Sequence, residues 1–289
     1  MASFFVAESS GIAYLCLGIL SLLIGSLLNV IIYRLPHMLQ AEWRLECSQL
    51  LNQPVKEETR INLFFPRSFC PSCKHLIPIW HNIPLLSYCI LRGRCNQCQH
   101  NISWHYPMVE FLSLILSLLA AWHFGFHVTL LFALIFIWIM LVISMIDLKH
   151  QIVPDSLSLS LLWLGLIANT NALWTTLPAS VWGAIVGYMS LWLFMRLFYL
   201  MTGKIGMGHG DFKLFAALGA WFGSMLLPFI LVGASLLGAI IGIGYLHSTK
   251  KNKDTPIPFG PFLCLLGLVS LFYGSSILEH YHRLILNLG

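Results

Sequence analysis

Long apolar runs separated by short polar breaks dominate the chain, and a helix needs about 20 apolar residues to cross a bilayer. On that ruler the first span runs from Gly11 to Tyr33 and ends at Arg34-Leu35-Pro36. A polar stretch follows to about Tyr106. Pro107 to Ile146 accommodates two spans with a break at His123-Phe124-Gly125-Phe126-His127. Pro154 to Thr202 accommodates two more, broken around Asn169-Thr170-Asn171 and Pro178. Phe212 to His247 is too long for one helix and short for two, with Gly223-Ser224 as its break; the last span runs from Phe259 to about Leu278. The pattern predicts an all-α polytopic membrane protein of about eight transmembrane helices. One small insert separates the first span from the second, the sixth span (about Phe212 to Phe222) is short, and no internal repeat is visible.

Composition agrees with that pattern. The 289 residues are 58% hydrophobic and 9% charged, with a mean hydropathy of +0.80, more apolar surface than a soluble core of this size hides. The residues before the first run carry Glu8 and no Lys or Arg, so no cleavable signal peptide is expected. Arg34, Arg44, Lys56, Arg60, Arg67, Lys74, Arg92 and Arg94 all fall in the insert, half of the 16 basic residues. The positive-inside rule therefore places the insert in the cytoplasm and the amino terminus outside. The same rule settles the ambiguous stretch, because two spans between Phe212 and His247 keep Lys250, Lys251 and Lys253 in the cytoplasm. A net charge of +5 spread over several loops forms no binding stripe, so nucleic acid is not an expected partner; the lipid bilayer is.

Two C-x-x-C pairs stand in the insert, Cys70-Pro71-Ser72-Cys73 and Cys95-Asn96-Gln97-Cys98. Their spacing suits tetrahedral thiolate ligation of zinc, and a reducing compartment favours metal over a pair of disulfides. Four ligands leave no open position, so the expected Zn2+ is structural. Cys16, Cys47, Cys89 and Cys264 look incidental.

Acids beside apolar runs are costly and few. Asp147 closes the run from Val128 to Ile146, at a helix carboxyl end where the dipole disfavours negative charge. Asp211 follows the glycine-rich turn Gly206-Met207-Gly208-His209-Gly210 on the same predicted face. Facing carboxylates cannot easily both ionise, so such a pair shares a proton as aspartic proteases require. Asp155 opens the fourth span, where capping is the plainer reading. Asp211 too can be read as a cap, and Glu110, one turn into the second span behind Pro107, as a dipole partner. Asn29 reads as an interhelical hydrogen bond. Of the 12 histidines, only His209 is placed to touch the chemistry.

Taken in order, these residues resemble the bacterial type IV prepilin peptidase family, a group of GxGD-type aspartic membrane proteases. The resemblance covers nearly the whole chain. It rests on Gly25-Ser26-Leu27-Leu28-Asn29 through Arg34-Leu35-Pro36, the two cysteine pairs, Tyr106-Pro107-Met108-Val109-Glu110, and Asp147 through Pro154-Asp155. It continues with Gly208-His209-Gly210-Asp211-Phe212-Lys213 and Pro256-Ile257-Pro258-Phe259-Gly260-Pro261. The resemblance implies Asp147 and Asp211 as catalytic aspartates, with Gly208, Gly210, Asp155 and Lys213 in support. It implies removal of a basic leader from prepilins and type II secretion pseudopilins at the cytoplasmic boundary of the bacterial inner membrane. It further implies methylation of the new amino terminus with S-adenosylmethionine, for which Gly93 matches a family glycine; its plainer reading is an ordinary turn. The chain then divides into a first transmembrane helix (1–33), a cytoplasmic zinc-binding domain (34–106) and a transmembrane aspartic peptidase domain (107–289). Glu110, with Trp80 and Trp104, is the expected neighbour of the sulfonium, and Glu42, Glu46, Glu57 and Glu58 the expected acids for a basic leader. Two other readings use the same acids: a presenilin-like intramembrane protease, and a transporter with the aspartates as an ion site.

Overall fold

Residues that are apolar on every side need partners on every side, and in the computed structural model the short predicted sixth span is the helix so enclosed. The structure describes residues 2–52, 62–65, 67, 69–70, 72–78, 83–204, 206–249 and 258–286. Lys56, Glu57, Glu58, Arg60, Trp80 and residues 250–257 therefore lie outside the described residues. The chain splits into two compact units, Met1–Gly125 and Phe126–Gly289.

The first unit contains α1 (Ala2–Leu50), α2 (Leu86–Ile90) and α3 (His105–Phe124). Helix α1 does not stop at Arg34-Leu35-Pro36 as the hydrophobic pattern predicts. It runs on through Pro36, which removes one backbone donor, because residues 37–50 are rich in strong helix formers such as Leu, Gln, Ala, Glu and Arg. Small residues let α1 and α3 approach closely. A Cβ on Gly25 would stand 2.8 Å from Glu110 Cα, and the buried Ser113 hydroxyl donates to the Ser21 carbonyl at 2.9 Å. Small-residue contacts and interhelical hydrogen bonds of this kind replace the hydrophobic drive that lipid cannot supply.

The second unit contains α4 (Val128–His150), α5 (Asp155–Thr170), α6 (Leu177–Thr202), α7 (His209–Phe222), a 3-10 turn (Ser224–Leu226), α8 (Leu227–Thr249) and α9 (Gly260–Leu286). Apart from the five-residue α2, each of the eight described helices matches one predicted span. Six are long and apolar enough to cross a membrane; α5 and α7, at 16 and 14 residues, reach only about 24 and 21 Å at the α-helical rise. No strand occurs among the described residues.

Helix α7 is the centre of this unit, packed by α5, α6 and α9, with every residue from Leu214 to Phe222 buried. Glycines set its crossing with α6. A Cβ on Gly183 would collide with the Gly219 carbonyl, one on Gly219 with the Gly183 carbonyl, and one on Gly187 would come 2.8 Å from the Phe215 carbonyl oxygen. The far end of α7 stops inside the unit, where its last carbonyls need donors. Asn169 supplies them, its Nδ2 donating to the carbonyls of Ala220 and Trp221 at 2.8 and 3.0 Å. Its Oδ1 accepts from the Trp174 and Thr175 amides, and Ser180 donates to the Ala220 carbonyl. The residue that marks an outer break in the sequence is the cap of the buried helix.

Gly219→Val should therefore force α6 and α7 apart at a cost of about 3 kcal/mol or more. Gly244, whose Cβ position is open, should accept Ala with no loss. Thermal unfolding of the two purified variants in one detergent checks this; equal melting temperatures would refute the crossing.

Candidate functional site

Asp211 is the third residue of α7 after the Gly208 cap, in the first turn, where a helix favours negative charge. Its amide donates back to the Gly208 carbonyl at 3.3 Å. The carboxylate is buried, and its Oδ1 has no hydrogen-bond partner among the described residues. Gly208 has φ −77°, a backbone any residue adopts. Gly210 is needed for space, since a Cβ there would sit 2.7 Å from Val153 Cβ and 3.0 Å from its carbonyl oxygen.

Asp147 lies in the last turn of α4, four residues before the left-handed Gln151 that ends the helix. Its buried carboxylate is held from another helix: the Gly260 amide, at the start of α9, donates to Oδ2 at 3.0 Å. That is how a carboxylate survives at a helix carboxyl end. The donor must be glycine, because a Cβ would fall 2.6 Å from the same oxygen. Val153 touches both the Gly210 and Gly260 Cβ positions, and so joins the surroundings of the two acids. Asp147 and Asp211 are near enough to act on each other electrostatically, and the charges of both reach the thiol of buried Cys264, one turn along α9.

Asp155 does not cap α5. Pro154 occupies the cap position and no side-chain cap bond forms, so the Asp155 carboxylate is free to take Lys213 Nζ at 2.5 Å. The pair ties the second turn of α7 to the first residue of α5. His209 is exposed and lies edge-on to Phe212.

In the first unit the two cysteine pairs form matching knuckles. Cys70 and Cys95 each accept at their carbonyls from residues four along, Lys74 and Gln99, and donate to the carbonyls of His75 and His100. Lys74 and Gln99 are left-handed, and each knuckle closes with one bridge, Phe69 to Leu76 and Arg94 to Asn101. The chain thus holds a short structural repeat, C-x-x-C-x-H, where none is apparent from the sequence reading. The four Sγ atoms lie within 4.8 Å of one another and can hold a metal ion. Cys70, with the Cys73 amide directed at its sulfur, is brought down to about 7. Cys98, although the His100 amide favours its thiolate, is pushed up to about 11 by burial and by the neighbouring sulfurs. Were all four ionised, a cation between them would offset the crowding of their charges.

Residues 19–124 match the Bacterial Peptidase A24 N-terminal domain and residues 134–243 the Type IV leader peptidase family. A Prepilin leader peptidase/N-methyltransferase of Legionella pneumophila is 56% identical over 269 residues, 93% of this chain and 94% of the relative. The chain belongs to the type IV leader peptidase family. Proteins of the same name from Stutzerimonas stutzeri and Pseudomonas putida are 47% and 46% identical, each covering at least 90% of both chains. No solved structure is significantly similar.

Gly260→Ala should lower leader cleavage about tenfold or more, the worth of one hydrogen bond to a charged group, while the melting temperature changes little. Cleavage at the normal rate would show that the α9 amide does not matter to Asp147. Cys70→Ser or Cys98→Ser should lower bound metal and expose the insert to protease; elemental analysis and limited proteolysis read both. A fully active wild-type protein without metal would overturn the need for a cation at the knuckles.

Proposed function

We propose that this chain is a membrane aspartic endopeptidase that removes the basic leader from type IV prepilins and type II secretion pseudopilins, then methylates the new amino terminus. The observation that carries the reading is that Asp147 and Asp211 are both buried at helix ends, with Val153 against the glycine beside each of them, Gly260 and Gly210, in a chain whose relatives are named for both activities. Asp147 and Asp211 act as the catalytic pair. One carboxylate takes a proton from water as its oxygen attacks the scissile carbonyl, and the protonated partner donates a hydrogen bond to that carbonyl. Collapse breaks the C–N bond, and the departing amine receives a proton from the pair.

Gly210 and Gly260 give the two carboxylates room, and the exposed Asp155–Lys213 pair orients the α7 turn that bears Asp211. A substrate whose apolar helix stays in the bilayer and whose leader stays in the cytoplasm presents its scissile bond at the boundary where α4 ends and α7 begins. The insert and its cysteines belong to the cytoplasmic side, in line with its basic residues. Glu42 and Glu46, four apart on the exposed part of α1, are suited to a basic leader.

The metal is Zn2+, held by Cys70, Cys73, Cys95 and Cys98. Zinc bound to four thiolates at about 2.3 Å separates the sulfurs by about 3.8 Å, and Cys70 Sγ and Cys98 Sγ stand 3.8 Å apart. S-adenosylmethionine supplies the methyl group. Gly93 and Glu110 serve that second step, both in the first unit, whereas both aspartates belong to the second.

Incubation with a pilin amino-terminal peptide, read by mass, tests the whole reading. The wild type should yield a leader-sized loss and then one methyl mass. Asp147→Asn and Asp211→Asn should each abolish cleavage with the protein still in the membrane. Asp155→Asn should be mild, because an exposed ion pair contributes about 1 kcal/mol or less. Cleavage by either of the first two variants would sink the catalytic assignment, and no mass change with the wild type would favour the transporter.

A further inference from the structure

The first unit encloses a cavity of about 420 Å³ between α1, α3 and the knuckles, within the range of small-molecule sites. Its wall is mostly apolar, and its polar members include Asn29, Tyr33, Tyr88, Tyr106 and Glu110 together with Arg34, whose guanidinium donates to the Asn62 and Leu63 carbonyls at 2.9 and 3.2 Å. Glu110 is the unusual member. Its carboxylate is buried and is held by amides: Oε2 accepts from the Leu85 backbone at 2.8 Å and Oε1 from Asn29 Nδ2 at 3.5 Å. No cationic side chain pairs with it among the described residues. Asn29 is itself fixed by donating to the Tyr106 carbonyl at 3.0 Å. A carboxylate has about four acceptor sites, so two remain for a ligand, and a buried acid without a cation is incompletely compensated.

We infer that this cavity is the site of the methyl donor, with Glu110 supplying the negative charge and the tyrosines the aromatic faces that a sulfonium prefers. The inference rests on the methyl-transfer half of the proposed function and adds to it a place and a basis for selectivity. A cationic S-adenosylmethionine gains from Glu110, whereas its product, the uncharged thioether S-adenosylhomocysteine, does not. The buried carboxylate thus favours release of product after transfer. In that transfer the amine lone pair forms the N–C bond, the S–C bond electrons return to sulfur, and the amine proton leaves to water.

Gly93 fits the same cavity indirectly. It has φ +68°, and a Cβ would come 3.0 Å from the Tyr88 ring, so glycine there lets Tyr88 stand in the wall. Tyr88 also accepts the Gly93 amide at its carbonyl, at 2.9 Å. Gly93 is therefore a positioning residue for that ring. Of the expected aromatic partners, Trp104 is exposed and stacks on His105, and Trp80 lies outside the described residues.

Calorimetric titration of the purified full-length protein with S-adenosylmethionine and, separately, S-adenosylhomocysteine tests the inference. The wild type should prefer the cation. Glu110→Gln should weaken S-adenosylmethionine about tenfold, the worth of a hydrogen bond to a charged group, and leave S-adenosylhomocysteine nearly unchanged. Ser26→Trp, which fills the cavity from α1, should lose both. Gly93→Val, which displaces Tyr88, should weaken both. Leader release by each variant reports that it is folded. Equal loss of the two ligands in Glu110→Gln would overturn the charge argument, and unchanged binding by Ser26→Trp would overturn the cavity while leaving the proposed function intact. A wild type that releases leader but binds neither ligand would remove the methyl-transfer reading and this site with it.

Discussion

The second unit depends on one constraint, that the backbone of a short buried helix be satisfied at both ends. Helix α7 is about 21 Å long, too short to bring both its termini to water across a hydrocarbon layer of about 30 Å. At its carboxyl end Asn169 and Ser180 supply the donors. At its amino end the first turn carries Asp211, whose charge is suited to the free amides there. The glycine crossing with α6 then fixes how far α7 sits along its neighbours, and so where Asp211 stands. Position along an axis is set by backbone contacts at Gly183, Gly187 and Gly219, which cannot be slid by a change of rotamer.

Asp147 obeys the same logic with borrowed parts. Its own helix offers it the wrong end, so the amide that holds it comes from the start of α9. Bringing an amino end of one helix against the carboxyl end of another demands a close approach, and Gly260 and Gly210 are where the chain gives up side chains to allow it. Val153 lies against both, which makes the α4–α5 turn a spacer between the two acids' surroundings.

Much of this was legible in the sequence. Hydrophobic runs locate the eight helices, including the shortness of α7, and the rarity of acids in apolar context singles out Asp147 and Asp211. Paired cysteines in C-x-x-C spacing specify the knuckles. What could not be read were the relations between distant residues. Nothing local says that Gly260 donates to Asp147 over 113 positions, or that Asn169, which looks like a turn residue, caps a helix 51 positions later. Helix α1 passed its predicted end because apolarity marks where a span meets water, while helix propensity decides where the helix stops. Asp155 departs from the capping expectation for a similar reason: with Pro154 in the cap position the carboxylate turns to Lys213, 58 residues away. The twin knuckles have a visible signal, His75 and His100 at equal offsets from their cysteines, hidden by the differing residues around them.

The buried acids share a further property that separates them from the exposed one. Asp155, at the surface, pairs with a lysine. Asp147 and Glu110 are instead held by amides, and Asp211 keeps an oxygen unengaged. An ion pair would neutralise a carboxylate and spend its charge on the fold. An amide orients the same carboxylate and leaves most of its charge available to whatever enters beside it. Buried acids held in this way are costly to folding, and that cost is consistent with groups kept ready for a proton or a cationic ligand. The choice of amides over cations is thus a physical reason to read these three acids as working groups and Asp155 as a strut.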